Sequence, residues 1–460
     1  MHYDTVPNVS PARAAAFDIL LRVERESSYA SELLHSASCQ RLTTADHALA
    51  TELVMGVLRW RSLLDDEIAR ASSQPLPKLD LEILVALRLT LYQLRYLDRI
   101  PARAAIHESV ELVKRARKRS AAPFVNAVLR RLSTSAPQTV ESSTMGEHQS
   151  TAAIAHSQAH PLWLVERWAI RYGLSTTNRI CRYDQSIPTT AIRLRDRAAE
   201  AELRAEGVQL VPGALLASAR RVQSGDITKT RAFRSRQLVI QDEASQLIAA
   251  LVGHGSRILD CCAAPGGKTL AISDRNAQAV ITAVELHPHR ARLLQKLLPA
   301  RHDTANSGTT NIHVVVADSR HLVTRATFDR ILADMPCSGT GTLARNPEIK
   351  WKLQPRDLTD LAERQHAILC SAMSQLTPGG RLIYSTCSLE DEENENVIER
   401  SLAKNTSLHV LGCREELERL KTAGELVWSD VDSLISGPYL RTLPGVHPCE
   451  GFFAAILERT

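Results

Sequence analysis

The residues of this chain best suited to chemistry are two cysteines fifty positions apart: Cys337 in ADMPCSGTG (333–341) and Cys387 in YSTCSLEDEE (384–393). Each follows an apolar run that reads as a strand, so each thiol would stand at a strand's carboxyl end. A thiol there is either a nucleophile, active as the thiolate, or a small residue filling a tight turn. The stretch LDCCAAPGGKT (259–269) adds a third chemical element. Pro265, Gly266 and Gly267 make a strand-to-helix turn where a ligand can approach the backbone and meet free N–H groups. The spacing is neither G-x-G-x-x-G nor a Walker A loop, which disfavours nicotinamide and ATP. Glu285, Asp318 and Asp334 end later apolar runs. Singly, each suits a helix cap or a turn. Together, in this order around one glycine turn, they suit a nucleoside ligand without a phosphate chain: a ribose, an adenine and a methionine ammonium, that is, S-adenosylmethionine.

The turn Asp334-Met335-Pro336-Cys337 then constrains what would receive the methyl group. Amino-directed nucleic-acid methyltransferases carry an Asp/Asn-Pro-Pro-aromatic turn, whose aromatic stacks on the base. No aromatic stands here, which argues against an amine target. Carbon 5 of a pyrimidine is a poor nucleophile until a thiolate adds to carbon 6, and that chemistry uses a cysteine. A proton must then leave carbon 5 before the thiol is eliminated. Ser388 is expected to cap a helix opening at Leu389. That would set Cys387 beside a helix N-terminus, which lowers a thiol pKa, while the nearby acids oppose the effect. No metal is expected. No His/Cys cluster has zinc spacing, and the consecutive acids of EDEENEN (390–396) point in different directions, as in a solvated helix start. Cys39, Cys181, Cys261, Cys370, Cys413 and Cys449 read as small buried residues. Lys268, beside the cofactor turn, is expected to contact the target base or Asp334.

These residues need elements to position them. From about 241, short apolar runs alternate with helical stretches: RILD (257–260), VITAVEL (280–286), IHVVVAD (312–318), FDRILAD (328–334) and GRLIYST (380–386). The alternation predicts a parallel, doubly wound sheet that binds ligands at its strand carboxyl ends. Residues 8–132 repeat the helical period instead, with Phe17, Leu20 and Leu21, then Leu49, Leu53, Val54, Val57 and Leu58, then Leu84, Leu87, Leu91 and Leu94. Ser10-Pro11 predicts the first helix start, with a capping hydroxyl ahead of a first-turn proline. The organisation expected is a helical domain over 1–137, a Ser/Thr-rich linker over 138–155, a small α/β module over 156–240 and a catalytic domain over 241–460.

At 460 residues with 44% hydrophobic content, the chain can build more than one core. Its net charge of +5 fits a polyanionic partner. The run VKRARKRSAAPFVNAVLRR (113–131) holds seven Lys or Arg and no acid, and it reads as either a nucleic-acid footprint or a solvated helix face. No run of about 18 apolar residues crosses a membrane. The N-terminal residues lack a basic segment followed by an apolar core. Nine cysteines without a Cys-x-x-Cys pair suit reduced thiols in the cytosol.

ILDCCAAPGGKT, DMPCSGTGT, NPEIKW and YSTCS resemble the motifs of the NOL1/NOP2/Sun RNA (cytosine-5) methyltransferases. MGVLRW (55–60) and FVNAVLRRL (124–132) are similar to the NusB-type RNA-binding domain, and the pairing resembles the RsmB/Fmu-type branch that methylates 16S ribosomal RNA. The resemblance implies an all-α NusB-like domain followed by a Rossmann-like class I methyltransferase domain using S-adenosylmethionine. It implies cofactor contacts on Cys262, Ala263, Ala264, Pro265, Gly266, Gly267 and Lys268, and on Glu285, Asp318 and Asp334. It places the nucleophile at Cys387 and a product-release role at Cys337, with Asp334 and Lys268 beside them. Two positions depart from the family pattern: Glu285 stands where Asp is usual, and Met335 where Pro or Ala is common. The expected partner is 16S rRNA, bound by the basic helices around 113–131 to a cytoplasmic monomer, with no DNA and no membrane. Two rivals stand beside this: a DNA cytosine-5 methyltransferase attacking through Cys337, and a non-enzymatic RNA-binding or assembly factor.

Overall fold

The computed structural model describes residues 9–26, 28–135, 150–298, 311–322, 327–403 and 405–460. The chain forms two compact units, one of residues to Ile187 plus Leu343–Lys352, the other of Pro188–Thr342 plus Leu353–Thr460.

The first unit is helical. Its elements are α1 (Pro11–Arg25), α2 (Ala30–Leu34), α3 (Thr44–Ala71), α4 (Leu81–Tyr96), α5 (Ala102–Arg115), α6 (Ala122–Thr134), α7 (Thr151–Ser157), α8 (Leu162–Tyr172) and α9 (Leu174–Asp184). The apolar positions legible in the sequence form its core: Phe17, Leu20, Leu53, Val57, Leu87 and Leu91 join Leu112, Val125 and Leu129 in one buried cluster. Burying each such side chain contributes about 1.5–3 kcal/mol. Pro11 begins α1 as expected, but Ser10 does not cap it. Its hydroxyl donates instead to Glu108 of α5 at 2.8 Å, a longer-range tie.

Helix α7, capped by Ser150, occupies the end of the stretch expected as a linker; residues 138–149 of that stretch lie outside the described residues. The expected 156–240 module divides at Ile187 and Pro188. Its first two helices, α8 and α9, pack on each other in the first unit, whereas its strands and the two helices among them belong to the second.

The second unit contains two sheets. β1 (Ala191–Leu194), β2 (Gln209–Pro212), β3 (Ala219–Ser224) and β4 (Leu238–Ile240) form an antiparallel sheet ordered β2-β3-β1-β4, with α10 (Ala199–Ala205) and α11 (Arg231–Arg234) beside it. The larger sheet holds β5 (Arg257–Asp260), β6 (Val280–Glu285), β7 (Asn311–Val316), β8 (Phe328–Asp334) and β9 (Leu376–Thr386), all in parallel pairings. It continues antiparallel through β10 (Leu408–Leu411), β11 (Ile435–Ser436), β12 (Tyr439–Thr442) and β13 (Phe452–Arg459), in the order β11-β12-β13-β9-β8-β5-β6-β7 with β10 on β13. The antiparallel half was not foreseen.

Helices α12 (Glu243–Leu251), α13 (Gly267–Arg275), α14 (Pro288–Leu297), α15 (Ile349–Lys352), α16 (Pro355–Ser374), α17 (Glu395–Leu402) and α18 (Cys413–Thr422) follow in chain order, α15 lying in the first unit. The strands explain why helices cover both faces. Ile258, Leu332, Ile383 and Ile456 enter one buried cluster with α12, α13 and α18. Their neighbours Leu259, Ile331, Leu382 and Leu457 enter another with α16 and α17. Successive side chains point to opposite faces, so a strand buried on both sides is apolar throughout. All parallel strands therefore end at one edge, and that edge carries the candidate site.

Candidate functional site

β8 and β9 are parallel neighbours with Asp334 in register with Ser385. The chain beyond each strand turns at the same edge, and this juxtaposes two cysteines fifty residues apart. The Cys337 and Cys387 sulfurs lie 3.3 Å from one another, in sulfur hydrogen-bond contact. Both are partly exposed. The two loops are locked at the backbone: Met335 N–H donates to Ser385 C=O at 2.8 Å and Gly341 N–H to Cys387 C=O at 2.9 Å. The hydrogen bond with Cys387 and burial, with the Glu393 charge adding, push the Cys337 thiol up, so it keeps its proton. Either sulfur can be the donor in the contact between them.

Lys268, from the first turn of α13, donates to Asp334 at 2.8 Å, and Ser385 Oγ donates to the other Asp334 oxygen at 2.8 Å. The expected Lys268–Asp334 contact is thus present. Lys268 Nζ also lies 5.0 Å from the Phe452 ring centroid, within cation–π range. Burial alone would pull the Lys268 ammonium down; Asp334, with a contribution from Cys387, outweighs it and holds the group charged. A fixed cation therefore stands where a thiolate at Cys387 would benefit from it.

The loop 261–266 joins β5 to α13. Gly266 takes φ +115°, a conformation L side chains avoid, and a Cβ there would meet Leu294 Cδ1 at 2.4 Å. Glu285 ends β6, buried, and accepts from His287 N–H at 2.9 Å. Asp318 follows β7 and receives a two-pronged grip from Arg320, which holds its carboxyl at about 2. The strands lie side by side in the order β8-β5-β6-β7, so Asp334, loop 262–268, Glu285 and Asp318 form one row along the edge.

The sequence reading omitted Asp260. It is 1% exposed, Thr269 Oγ1 donates to one of its oxygens at 2.7 Å, and the other oxygen has no hydrogen-bond partner among the described residues. Burial, opposed by Thr269 and assisted by Asp334, raises its carboxyl to about 7. A row of acids with one unsatisfied buried oxygen beside a glycine turn fits the cationic, hydroxyl-rich ligand inferred above.

EDEENEN is not a solvated helix start. Glu390, Glu393 and Asn394 are buried. A short 3-10 turn over Asp391–Glu393 precedes α17, so Cys387 does not stand at a helix N-terminus. Ser388 caps no α-helix; its hydroxyl accepts from Glu390 N–H and donates to Glu393. The chain bends back because polar groups pull it inward: Thr386 Oγ1 donates to Asn394 Oδ1, and Asn394 Nδ2 to Ser388 C=O. Cys370 is exposed, contrary to expectation, whereas Cys39, Cys181, Cys261, Cys413 and Cys449 are buried as read.

Comparison with known proteins places this edge in a lineage. The family 16S rRNA methyltransferase RsmB/F matches residues 249–458, and the NusB family matches residues 10–134. A probable ribosomal RNA small subunit methyltransferase B of Bacillus subtilis is 34% identical over 398 residues, 84% of this chain and 87% of its own. The chain belongs to the 16S rRNA methyltransferase RsmB/F family. The RsmB/F match spans both cysteine loops, the Lys268–Asp334 pair and the row of acids.

Two solved structures share the fold. PH0851 matches over 98% of this chain and 99% of its own, with TM-score 0.78 at 21% identity. NSun6 from Pyrococcus horikoshii, solved with SFG, matches over 64% of this chain and 97% of its own, with TM-score 0.52 at 18% identity. The NusB match covers α1 to α6 and includes the basic run. That run is less free than its composition implied. Lys114 pairs with Glu111, Arg115 with Asp18 and Lys118 with Asp80. Arg117, Arg119, Arg130 and Arg131 are exposed and have no ion-pair partner among the described residues. As a member of RsmB/F, the chain is an rRNA methyltransferase with a NusB-like helical domain.

Proposed function

We propose that the chain methylates carbon 5 of a cytosine in small-subunit ribosomal RNA, through a covalent adduct between Cys387 and carbon 6. The observation that carries this is the pair of thiols 3.3 Å apart at the sheet edge. Methylation of an amine needs no thiol, whereas the carbon-5 reaction uses one to activate the ring and to leave it again. The RNA is gripped through phosphates by Arg117, Arg119, Arg130 and Arg131, and the cytosine is turned out of its stack. Cys387 adds to carbon 6, and the ring electrons displaced by the new C–S bond make carbon 5 nucleophilic. Lys268, held by Asp334, keeps positive charge near the Cys387 sulfur. Once carbon 5 carries the methyl group, water in the site takes its proton, the carbon 5–carbon 6 double bond re-forms and the C–S bond breaks; Cys337, as a thiol, donates a hydrogen bond to the Cys387 sulfur as it leaves as thiolate.

Loop 262–268, Glu285, Asp318 and Asp334 would hold S-adenosylmethionine, which supplies an electrophilic methyl group. The sequence motifs, the family match and the SFG complex of the NSun6 neighbour support this cofactor. All nine cysteines are unpaired, which suits a reducing cytoplasm. No helix among the described residues is long and apolar enough to cross a membrane. The test is mass spectrometry of nucleosides from unmodified small-subunit rRNA incubated with the protein and S-adenosylmethionine. The expected product is 5-methylcytidine. An N4-methylated or ribose-methylated nucleoside in its place would overturn the proposal.

A further inference from the structure

Glu393 is a fully buried carboxylate with no ion pair among the described residues. Removing such a charge from water is costly unless donors replace the water. Four do. Ser338 N–H and Gln365 Nε2 donate to one oxygen at 2.8 and 2.9 Å, and the hydroxyls of Ser338 and Ser388 donate to the other at 2.5 Å each. The donors fall where the chemistry is. Ser338 follows Cys337 and Ser388 follows Cys387, so one carboxylate oxygen collects the residue after each cysteine. The two hydroxyls are 3.0 Å apart and the two sulfurs 3.3 Å apart. Behind the carboxylate, Gln365 also donates to Pro336 C=O at 3.0 Å, and Tyr384 OH donates to Glu393 C=O at 2.5 Å. Both loops are thereby tied to α16 and β9, the rigid elements beneath them.

We propose that Glu393 is a positioning residue: it fixes the distance between Cys337 and Cys387 by holding the serine after each. It touches neither sulfur itself. Charge-assisted hydrogen bonds are short and directional, so one acceptor gripping both loops resists their separation better than backbone pairing alone. The kinetic consequence rests on the two-cysteine reaction proposed above; the geometric claim does not.

The test uses the full-length protein and two readouts. The first is the rate at which diamide, a two-electron thiol oxidant, closes a Cys337–Cys387 disulfide, followed by peptide mass mapping. The second is steady-state methylation of rRNA. Glu393→Ala should slow disulfide closure at least about tenfold and lower kcat at least about 30-fold, with KM for RNA and for S-adenosylmethionine within about twofold of the parent. Glu393→Gln should recover both rates to within about fivefold. Its carbonyl can keep Ser338 N–H and Gln365, while its amide faces hydroxyls able to accept. Should Glu393→Ala fold poorly, the double variant Ser338→Ala/Ser388→Ala removes the hydroxyl tethers and should slow closure likewise. Closure at the parent rate in Glu393→Ala, or in a serine pair that stands in for it, overturns the proposal. Slowed closure in a protein whose parent makes no 5-methylcytidine would uphold the clamp and sink the reaction; 5-methylcytidine with unchanged closure would do the reverse.

Discussion

Gly341, in the loop after Cys337, packs backbone to backbone on Gly451 just ahead of β13, and replacing it with alanine gives a prediction whose size follows from the geometry. A Cβ on Gly341 would lie 2.2 Å from the carbonyl oxygen of Gly451, where real contacts stay above about 3.0 Å. Gly451 cannot withdraw freely, because its N–H donates to Gly341 C=O at 2.8 Å. The obstacle is backbone, not the end of a flexible side chain, so one segment must move by roughly 0.8 Å. Overpacking of this kind costs about 1–3 kcal/mol. For a unit of this size the melting temperature should fall by about 2–5 °C. The same displacement passes to Cys387, whose C=O receives Gly341 N–H at 2.9 Å. Misplacing a reacting group by nearly 1 Å costs on the order of 100-fold in rate. Gly341→Ala should therefore lower single-turnover methyl transfer about 100-fold with RNA affinity unchanged. Gly412→Ala is the control: its Cβ would meet nothing within 4 Å. Gly341→Ala with parental melting and a rate within threefold would refute the claim that the loops are keyed together.

Asp260 gives a pH prediction. Its folded carboxyl titrates near 7, pushed there first by burial, so the native state binds the extra proton between about pH 4 and 7. Its contribution is complete below its unfolded pKa and is lost as pH rises through 7, up to about 4 kcal/mol. Urea melts of Asp260→Asn should stay flat from pH 4.5 to 8 relative to the parent; parallel decline in both proteins would contradict this. Exposed Arg130 and Arg131 should each add to the salt dependence of RNA binding. Replacing both with glutamine should reduce the slope of log K against log salt by about 1–2, and an unchanged slope would remove them from the interface.

Much of the site was legible because its residues stand at strand ends, where local sequence shows both the apolar run and the polar residue that ends it. Cys337, Cys387 and Asp334 stand at or just past such ends and the β8–β9 pairing brings them together, while Lys268 is marked by its place beside the glycine turn and reaches Asp334 from α13. Glu393 was not, because a run of acids looks solvated unless its distant donors are known, and Ser338 and Gln365 lie 55 and 28 positions away. Asp260 stands beside more conspicuous glycines; its burial depends on the strands on either side, β8 and β6, and on α13, which supplies Thr269. The antiparallel strands β10 to β13 include short segments whose pairing no local pattern sets. NPEIKW was noticed, but not that it would cluster with the helical unit. There Lys350, 1% exposed, donates to the carbonyls of Arg59 and Ala159, and Trp351 donates to that of Leu58. Such partners, almost 200 residues or more away, leave no periodic trace in the segment itself.

The central claim, attack by Cys387 with Cys337 assisting release, is tested most directly by trapping the adduct. Small-subunit rRNA transcribed with 5-fluorocytidine carries fluorine where a proton must leave, so a covalent enzyme–RNA complex would persist on a denaturing gel. With S-adenosylmethionine present, the parent and Cys337→Ala should form that complex, and Cys387→Ala should not. A complex that survives in Cys387→Ala and vanishes in Cys337→Ala would exchange the two roles and contradict the account.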